Sequence, residues 1–368
     1  MRLFQHTGKP AAAGKRQTQA ALPRSAVGID ISQYAVRMVL LSGHSLNQIR
    51  LEKYAVTPLP KNIVKGNKIQ DYEQLVPYLQ HTYTQLHTSC KIFVAAMPHG
   101  LASLEHAVSR TPLDAAGLED FAESEVAQIG PHGDMNYDYQ PDGSDSRSGG
   151  QKILIAAAKK DDVEPRAEMF EQAGLPLHAL DLDLLAQRNA FAYWLNCHAP
   201  ELAHEKIAVF GIYDTQMYAL IMRGGQILYK QETAASVEQL LHLIRHTYQT
   251  GEEEARYMLN LTEKPGGYQS QIAERFNMQI TQEVQRVLQF YYTTQTMEAF
   301  SGIKHILLTG SASCQPGLAE SVSAQTNTPV QCVYPALAAE RGPYIDAAQL
   351  QADAPALTVA FGLAARGL

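Results

Sequence analysis

The chain has 368 residues, too many for one compact core and enough for two or more domains. A formal charge of −7 with 45% hydrophobic residues describes an ordinary globular chain and argues against a dedicated nucleic-acid binder. No apolar run nears the ~20 residues a membrane span needs, and Cys90, Cys197, Cys314 and Cys332, far apart and without a C-x-x-C pair, suit free thiols in a reducing compartment rather than disulfides or zinc.

Residues 1–24 carry Arg2, Lys9, Lys15, Arg16 and Arg24 and no acid. The continuous apolar stretch of a signal peptide is missing. The segment reads as a disordered basic tail, either solvated slack or weakly attracted to an anionic membrane surface. The stretch AVGIDISQYAVRMVLLS that follows is a buried strand ending on Asp30, a tight turn through Ile31 and Ser32, and a return strand with Val36, Met38 and Leu40 alternating. A carboxylate at the end of an apolar strand is costly unless it meets a cation, backbone N–H groups or water. Ile49–Thr57 is a third strand. Leu75, Leu79, Tyr83 and Leu86 predict an amphipathic helix over 71–86, with Asp71 at its favourable end. Lys91–Met97 is a strand closed by Pro98. Three strands in meander, then a helix and a strand, predict a mixed sheet.

A second unit begins near Leu101. Leu104–Arg110 is strand-like, and Asp114–Gln128 is a helix whose apolar stripe is Leu118, Phe121, Ala122, Val126 and Ile129. Met135–Gln140 and Lys152–Ala158 are strands joined by a Gly/Ser/Asp-rich loop. Asp161–Ala173 is a helix stopped by Gly174. Leu177–Leu184 returns to a strand containing Asp181 and Asp183. Two residues apart, they share a face if the strand stays extended; the alternative is capping of the helix that begins at Leu184, a role that suits Asp183.

A second hairpin starts at Ile207–Ile212 and continues through Gln216–Met222 and Ile227–Gln231. Helices follow at 237–248, 252–261 and 272–293. His305–Leu308 is a strand running into Thr309-Gly310-Ser311-Ala312-Ser313, and 353–368 reads as one final helix capped by Asp353. The two halves rhyme: each has a strand–turn–strand–strand, a helix and a later strand.

That order resembles the actin/Hsp70-like ATPase fold. From about residue 25 to the end the chain is similar to the PilM family, the cytoplasmic actin-like proteins of the type IV pilus machine. The resemblance lies in VGIDISQYAVRMVLL, ESEVAQIGPHGDMNYDYQ, GLPLHALDLDLLAQRNAF, IAVFGIYDTQMYALIMRGGQILYKQE, EVQRVLQFYYTT, HILLTGSASCQPGLAESV and DAPALTVAFGLAARG, in that order. It implies an α/β fold of two lobes around a nucleotide cleft, with an FtsA/PilM-type insertion in the first. The implied parts are a first-lobe core at 25–100, returning at 178–198 and 355–368, and an insertion at 101–177. A second-lobe core follows at 199–245, returning at 300–354, with a helical subdomain at 246–299.

In the family, ATP with Mg²⁺ sits between the lobes, held by backbone N–H groups and carboxylates. The resemblance places Asp30 and Ser32 in the first phosphate hairpin, Thr215 in the second, Asp181 and Asp183 at the connecting strand, and Gly310 and Ser311 in the adenosine loop. Asp30 and Asp181 are the implied metal residues. The second hairpin departs from the family's D-I-G: here it reads Gly211-Ile212-Tyr213. The glycine pair expected later is Ser236-Val237, and the adenosine loop has Gly-Ser for Gly-Gly. Losing one charge-assisted contact costs ~1.5–3 kcal/mol, so hydrolysis is expected to be weak or absent. No catalytic residue is assigned.

The family also implies a groove for the N-terminal tail of PilN, an inner-membrane protein. Its wall here is Glu123–Tyr139, where Glu123 and Glu125 would meet basic residues and Ile129, Pro131 and Tyr137 would line an apolar trough. Plain packing of the insertion explains the same residues. The resulting expectation is a cytoplasmic scaffold, peripheral to the inner membrane through its partner, with contacts to other pilus motor components and self-association left open. An active ATPase and an FtsA-like filament protein are the alternatives; the chain stops at Leu368 without the linker and amphipathic anchor of FtsA.

Overall fold

The computed structural model describes residues 24–44, 48–144, 149–261, 263–294 and 302–368. The expected basic tail lies outside the described residues except for Arg24, which opens the first strand. The chain divides into two compact units. Unit 1 runs to Ala186 and takes in Val359–Leu368; unit 2 is Gln187–Thr358.

Unit 1 begins with β1 (Arg24–Ile31), β2 (Ala35–Gly43) and β3 (Ile49–Pro58), an antiparallel meander whose apolar residues are almost all buried. A small hairpin, β4 (Val64–Lys65) and β5 (Lys68–Ile69), lies between β3 and the next helix, where the sequence reading predicts no element. Helix α1 (Tyr72–Gln85) starts at Asp71, whose side chain accepts from Gln74 N at 2.9 Å. That bond satisfies one of the otherwise orphaned N–H groups of the first turn. The helix buries Leu75, Leu79 and Thr82. Strand β6 (Phe93–Met97) then pairs in parallel with β1.

The insertion follows: β7 (Ala102–Ser109), α2 (Ala115–Ile129), β8 (Met135–Ser144), β9 (Gln151–Lys159) and α3 (Lys160–Gln172). Its three strands form an antiparallel sheet of order β7-β9-β8. Ile153, Ile155 and Ala157 of the central strand pack with Ala122 and Val126 of α2 in a core of their own. Asp114 caps α2, accepting from Gly117 N at 2.8 Å.

Strand β10 (Leu177–Leu182) rejoins the main sheet beside β6, giving the order β10-β6-β1-β2-β3. Helix α4 (Asp183–His198) leaves directly from it.

Unit 2 repeats the plan. Strands β11 (Ile207–Ile212), β12 (Met217–Arg223) and β13 (Gln226–Thr233) form an antiparallel meander. Helices α5 (Val237–Tyr248), α6 (Glu252–Asn260) and α7 (Glu274–Thr294) follow, with a π-helical turn at Gln269–Ala273 leading into α7. Then come β14 (His305–Thr309), α8 (Leu318–Thr326) and β15 (Val330–Cys332). The order β13-β12-β11-β14-β15 matches β3-β2-β1-β6-β10 strand for strand: two antiparallel pairings, then two parallel ones. Phe210, Ile272, Phe276, Val284 and Tyr291 lie in its core.

The terminal segment corrects one expectation. After the short α9 (Pro335–Ala338), the single helix predicted over 353–368 is broken: Asp353 is the last residue of α10 (Ala347–Asp353), a 3₁₀ turn spans Ala354–Ala356, and α11 (Thr358–Gly367) follows. Pro355 has no N–H to continue α10 and its ring crowds the preceding turn. Among the described residues no helix is long and apolar enough to cross a membrane.

Candidate functional site

The first hairpin is closed by its own side chain. Ser32 Oγ accepts from Tyr34 N and Ala35 N, each at 3.2 Å, while Ser32 N donates to Ala35 O at 3.0 Å. The hydroxyl expected at phosphate therefore holds the turn. Antiparallel register sets Asp30 opposite Arg37. Arg37 Nη1 lies 3.3 Å from Asp30 Oδ2, with the two side chains only 9% and 14% exposed. Removing one partner of such a pair costs roughly 3–5 kcal/mol, so a variant at Asp30 tests stability before it tests any ligand.

Asp181 stands at the end of β10. Ile29 pairs with Ala95, and Asp181 with Ala96. One step on, Asp30 falls in the row of Ala96 and Asp181, two strand spacings or roughly 10 Å away. Both carboxylates thus sit at the carboxyl ends of parallel strands, where open α/β sheets place ligands. Asp181 Oδ1 accepts from Leu182 N at 2.9 Å, and its Oδ2 lies 3.3 Å from Arg366 Nε of α11. The two aspartates of this strand do not share a face, because the strand ends at Leu182 and Asp183 opens α4. Asp183 Oδ1 accepts from Leu184 N at 2.7 Å and His99 N at 3.0 Å, with His99 Nδ1 at 3.1 Å. It ties the start of α4 to the segment after β6.

In unit 2 the second hairpin is filled by Tyr213. A Cβ at Gly211 would meet Tyr213 Cε2 at 2.4 Å. The Tyr213 hydroxyl donates to Gln187 Oε1 at 3.1 Å. Gln187 is fully buried, and its Nε2 has no hydrogen-bond partner. An aspartate at position 211 would have to displace the tyrosine ring first. Thr215, half-buried, lies in the turn that Tyr213 N closes on Gln216 O at 3.0 Å. Gly310 packs against the same hairpin: its φ is +88° and a Cβ would lie 2.4 Å from Ile212 O. Its carbonyl accepts from Ser313 N at 3.0 Å and Ser313 Oγ at 2.7 Å. The neighbouring Ser311 is half-buried, and its carbonyl accepts from Cys314 Sγ at 3.6 Å.

In the insertion, Tyr137 lies half-buried against the α2 core and donates to Glu123 Oε1 at 3.0 Å. Burial, then the bond to Glu123, pushes its hydroxyl pKa up to about 12, so it stays a donor at neutral pH. Glu125 Oε1 accepts from Gln128 Nε2 at 3.4 Å. Ile129 at the end of α2 is 38% exposed and Pro131 beyond it is exposed. The expected trough residues thus divide: Tyr137 is fixed in the insertion's own packing, while Ile129 and Pro131 are presented at the surface.

Sequence reasoning missed Arg37, Arg366, His99 and Gln187. Arg37 had a signal, because a tight turn after Asp30 sets it across the hairpin. Arg366 and Gln187 act on positions far along the chain and had none.

The fold built from two such sheets is the actin-like ATPase fold. The solved structure of a PilM–PilN type IV pilus biogenesis complex is similar at TM-score 0.77 and 21% identity, over 93% of this chain and 98% of that one. The ethanolamine utilization protein EutJ from Carboxydothermus hydrogenoformans is similar at TM-score 0.57 and 13% identity, over 94% and 91%. The family model for type IV pilus assembly protein PilM matches residues 28–368, and the chain belongs to that family.

The family's fold implies ATP with Mg²⁺, and the residues present do not fit the metal. Asp30 and Asp181 each carry an arginine, and Asp183 is taken by backbone N–H groups and His99. Among the described residues no group of three or more histidine, cysteine or acidic side chains is placed to hold a metal ion.

Proposed function

We propose that this chain is a scaffold of type IV pilus assembly that captures the N-terminal tail of a PilN-like inner-membrane protein on its insertion and so works at the membrane face through that partner. One observation carries the reading: membership of the PilM family, together with likeness over nearly the whole chain to the PilM–PilN complex. Support for the location is the pair of exposed apolar residues, Ile129 and Pro131, at the end of α2, with Glu123 and Glu125 on the same helix. An extended basic tail would bury a few side chains there and meet one or two carboxylates.

Calorimetric titration of the full chain with a tail peptide tests this. Interface anchors are worth ~2 kcal/mol or more, a factor of about thirty in affinity. Ile129→Ala weakens binding on that scale. Exposed Glu119, changed to Gln, alters affinity by less than about threefold and acts mainly on the association rate. Equal losses in the two variants would contradict a trough at the end of α2.

We further propose that any nucleotide held by this fold serves binding and not turnover. Tyr213 over Gly211 and the occupied carboxylates support that reading. The expected result of a steady-state assay on the isolated protein is no ATP hydrolysis above background. A rate of about 1 s⁻¹, at the low end of ordinary enzymes, that disappeared in Asp181→Asn would favour the active ATPase instead.

A further inference from the structure

Two buried carboxylates in one row of a sheet are costly unless each meets a counter-charge, whether a protein cation or a bound metal. In unit 1 the counter-charge is built in. We propose that Arg37 and Arg366 occupy the electrostatic place of a divalent cation in this chain, so that Asp30 and Asp181 are neutralised without a metal. The inference is independent of partner capture.

Both arginines are held in place by the fold. Arg37 is fixed opposite Asp30 by the β1–β2 register, in which Ile29 pairs with Met38 and Ile31 with Val36. The tight turn closed by Ser32 on Tyr34 N and Ala35 N sets that register, so the pair cannot drift apart by sliding. Arg366 comes from α11, which approaches its neighbours at backbone distance. A Cβ on Gly28 would lie 2.0 Å from Ala360 O, and one on Gly362 would lie 1.8 Å from Ala186 O. Those contacts pin the helix, and its last turn delivers the guanidinium to Asp181 Oδ2 at 3.3 Å. The Asp181 side chain is only 3% exposed. Its other oxygen is taken by Leu182 N.

Magnesium demands near-ideal octahedral oxygen coordination at ~2.0–2.1 Å and brings two positive charges. At Asp30 or Asp181 it would stand within a few ångströms of a guanidinium that cannot lose its proton. Like charges at that distance in a partly buried site repel strongly. Arginine and metal are therefore alternatives at these carboxylates, and the fold has committed to arginine.

Electron paramagnetic resonance titration with MnCl₂ on the full chain decides the question, since free aquo-Mn²⁺ is counted directly. Wild-type protein leaves the added Mn²⁺ free. Arg366→Met and Arg37→Met, each checked for native circular dichroism, gain at least about tenfold in Mn²⁺ affinity, and adding Asp181→Asn to Arg366→Met removes that gain. One Mn²⁺ bound per wild-type chain and lost in Asp181→Asn would overturn the inference. So would two folded arginine variants that gain nothing. Where a variant fails to fold, the wild-type titration with its Asp181→Asn control still decides it.

Discussion

Gly362→Ala lowers the melting temperature of the protein by about 10 °C. A Cβ at this position would lie 1.8 Å from Ala186 O and 2.5 Å from Ala186 C. These are backbone atoms of α4, so no side chain can rotate out of the way. Helix α11 must lift from α4, and with it Ala360 and Ala364, which are fully buried. Overpacking of a well-filled core costs typically 1–3 kcal/mol and more where backbone must move. For a unit of this size each 1 kcal/mol is worth about 2–4 °C. Gly266→Ala is the matched control, because a Cβ there meets nothing within 4 Å; its effect stays within about 0.5 kcal/mol. A shift below about 2 °C for Gly362→Ala, measured by differential scanning calorimetry, would contradict the close crossing that also positions Arg366.

Gly310→Ala destabilises unit 2 by about 3 kcal/mol, while Ser311→Ala leaves it nearly unchanged. The resemblance treats these two residues as one nucleotide loop, and the packing separates them. Gly310 combines a φ of +88°, which a side chain rarely tolerates, with a Cβ position 2.4 Å from Ile212 O. Strain at such a backbone conformation costs of order 1–3 kcal/mol, and the clash adds to it. Ser311 is half-buried, and it accepts from Cys314 Sγ through its carbonyl rather than its side chain. Hydrogen exchange locates the defect: in Gly310→Ala the amides of β11 and β14, paired through Val209 and Leu307, exchange faster. Equal, small effects of the two substitutions would show that Gly310 is not required by packing.

The paired sheets were legible because apolar strands and tight turns are local signals. Asp30 at the end of β1, and Asp71 and Asp114 as caps, could be read directly from neighbours in the chain. Charge partners were harder. Arg37 is seven residues from Asp30 and becomes its partner only once the turn length is known, whereas Arg366 reaches Asp181 from the far end of the chain. The break at Pro355 was visible in principle, but the apolar run around it has helical period on both sides, and the continuous reading overrode the missing N–H. The π-helical turn before α7 shifts the phase of the apolar stripe by one residue, which periodicity over a window averages away. Tyr213 is visible in the sequence as standing where the family has glycine; that its hydroxyl meets Gln187 is a tertiary fact with no local trace.

The most direct test of partner capture is photo-crosslinking of the full chain with a PilN-type tail peptide carrying a benzophenone at successive positions, read by mass spectrometry. The account predicts crosslinks on residues 123–139 of the insertion, with loss of the signal in Ile129→Ala. Crosslinks confined to residues 246–294 of unit 2, unchanged in Ile129→Ala, would contradict it.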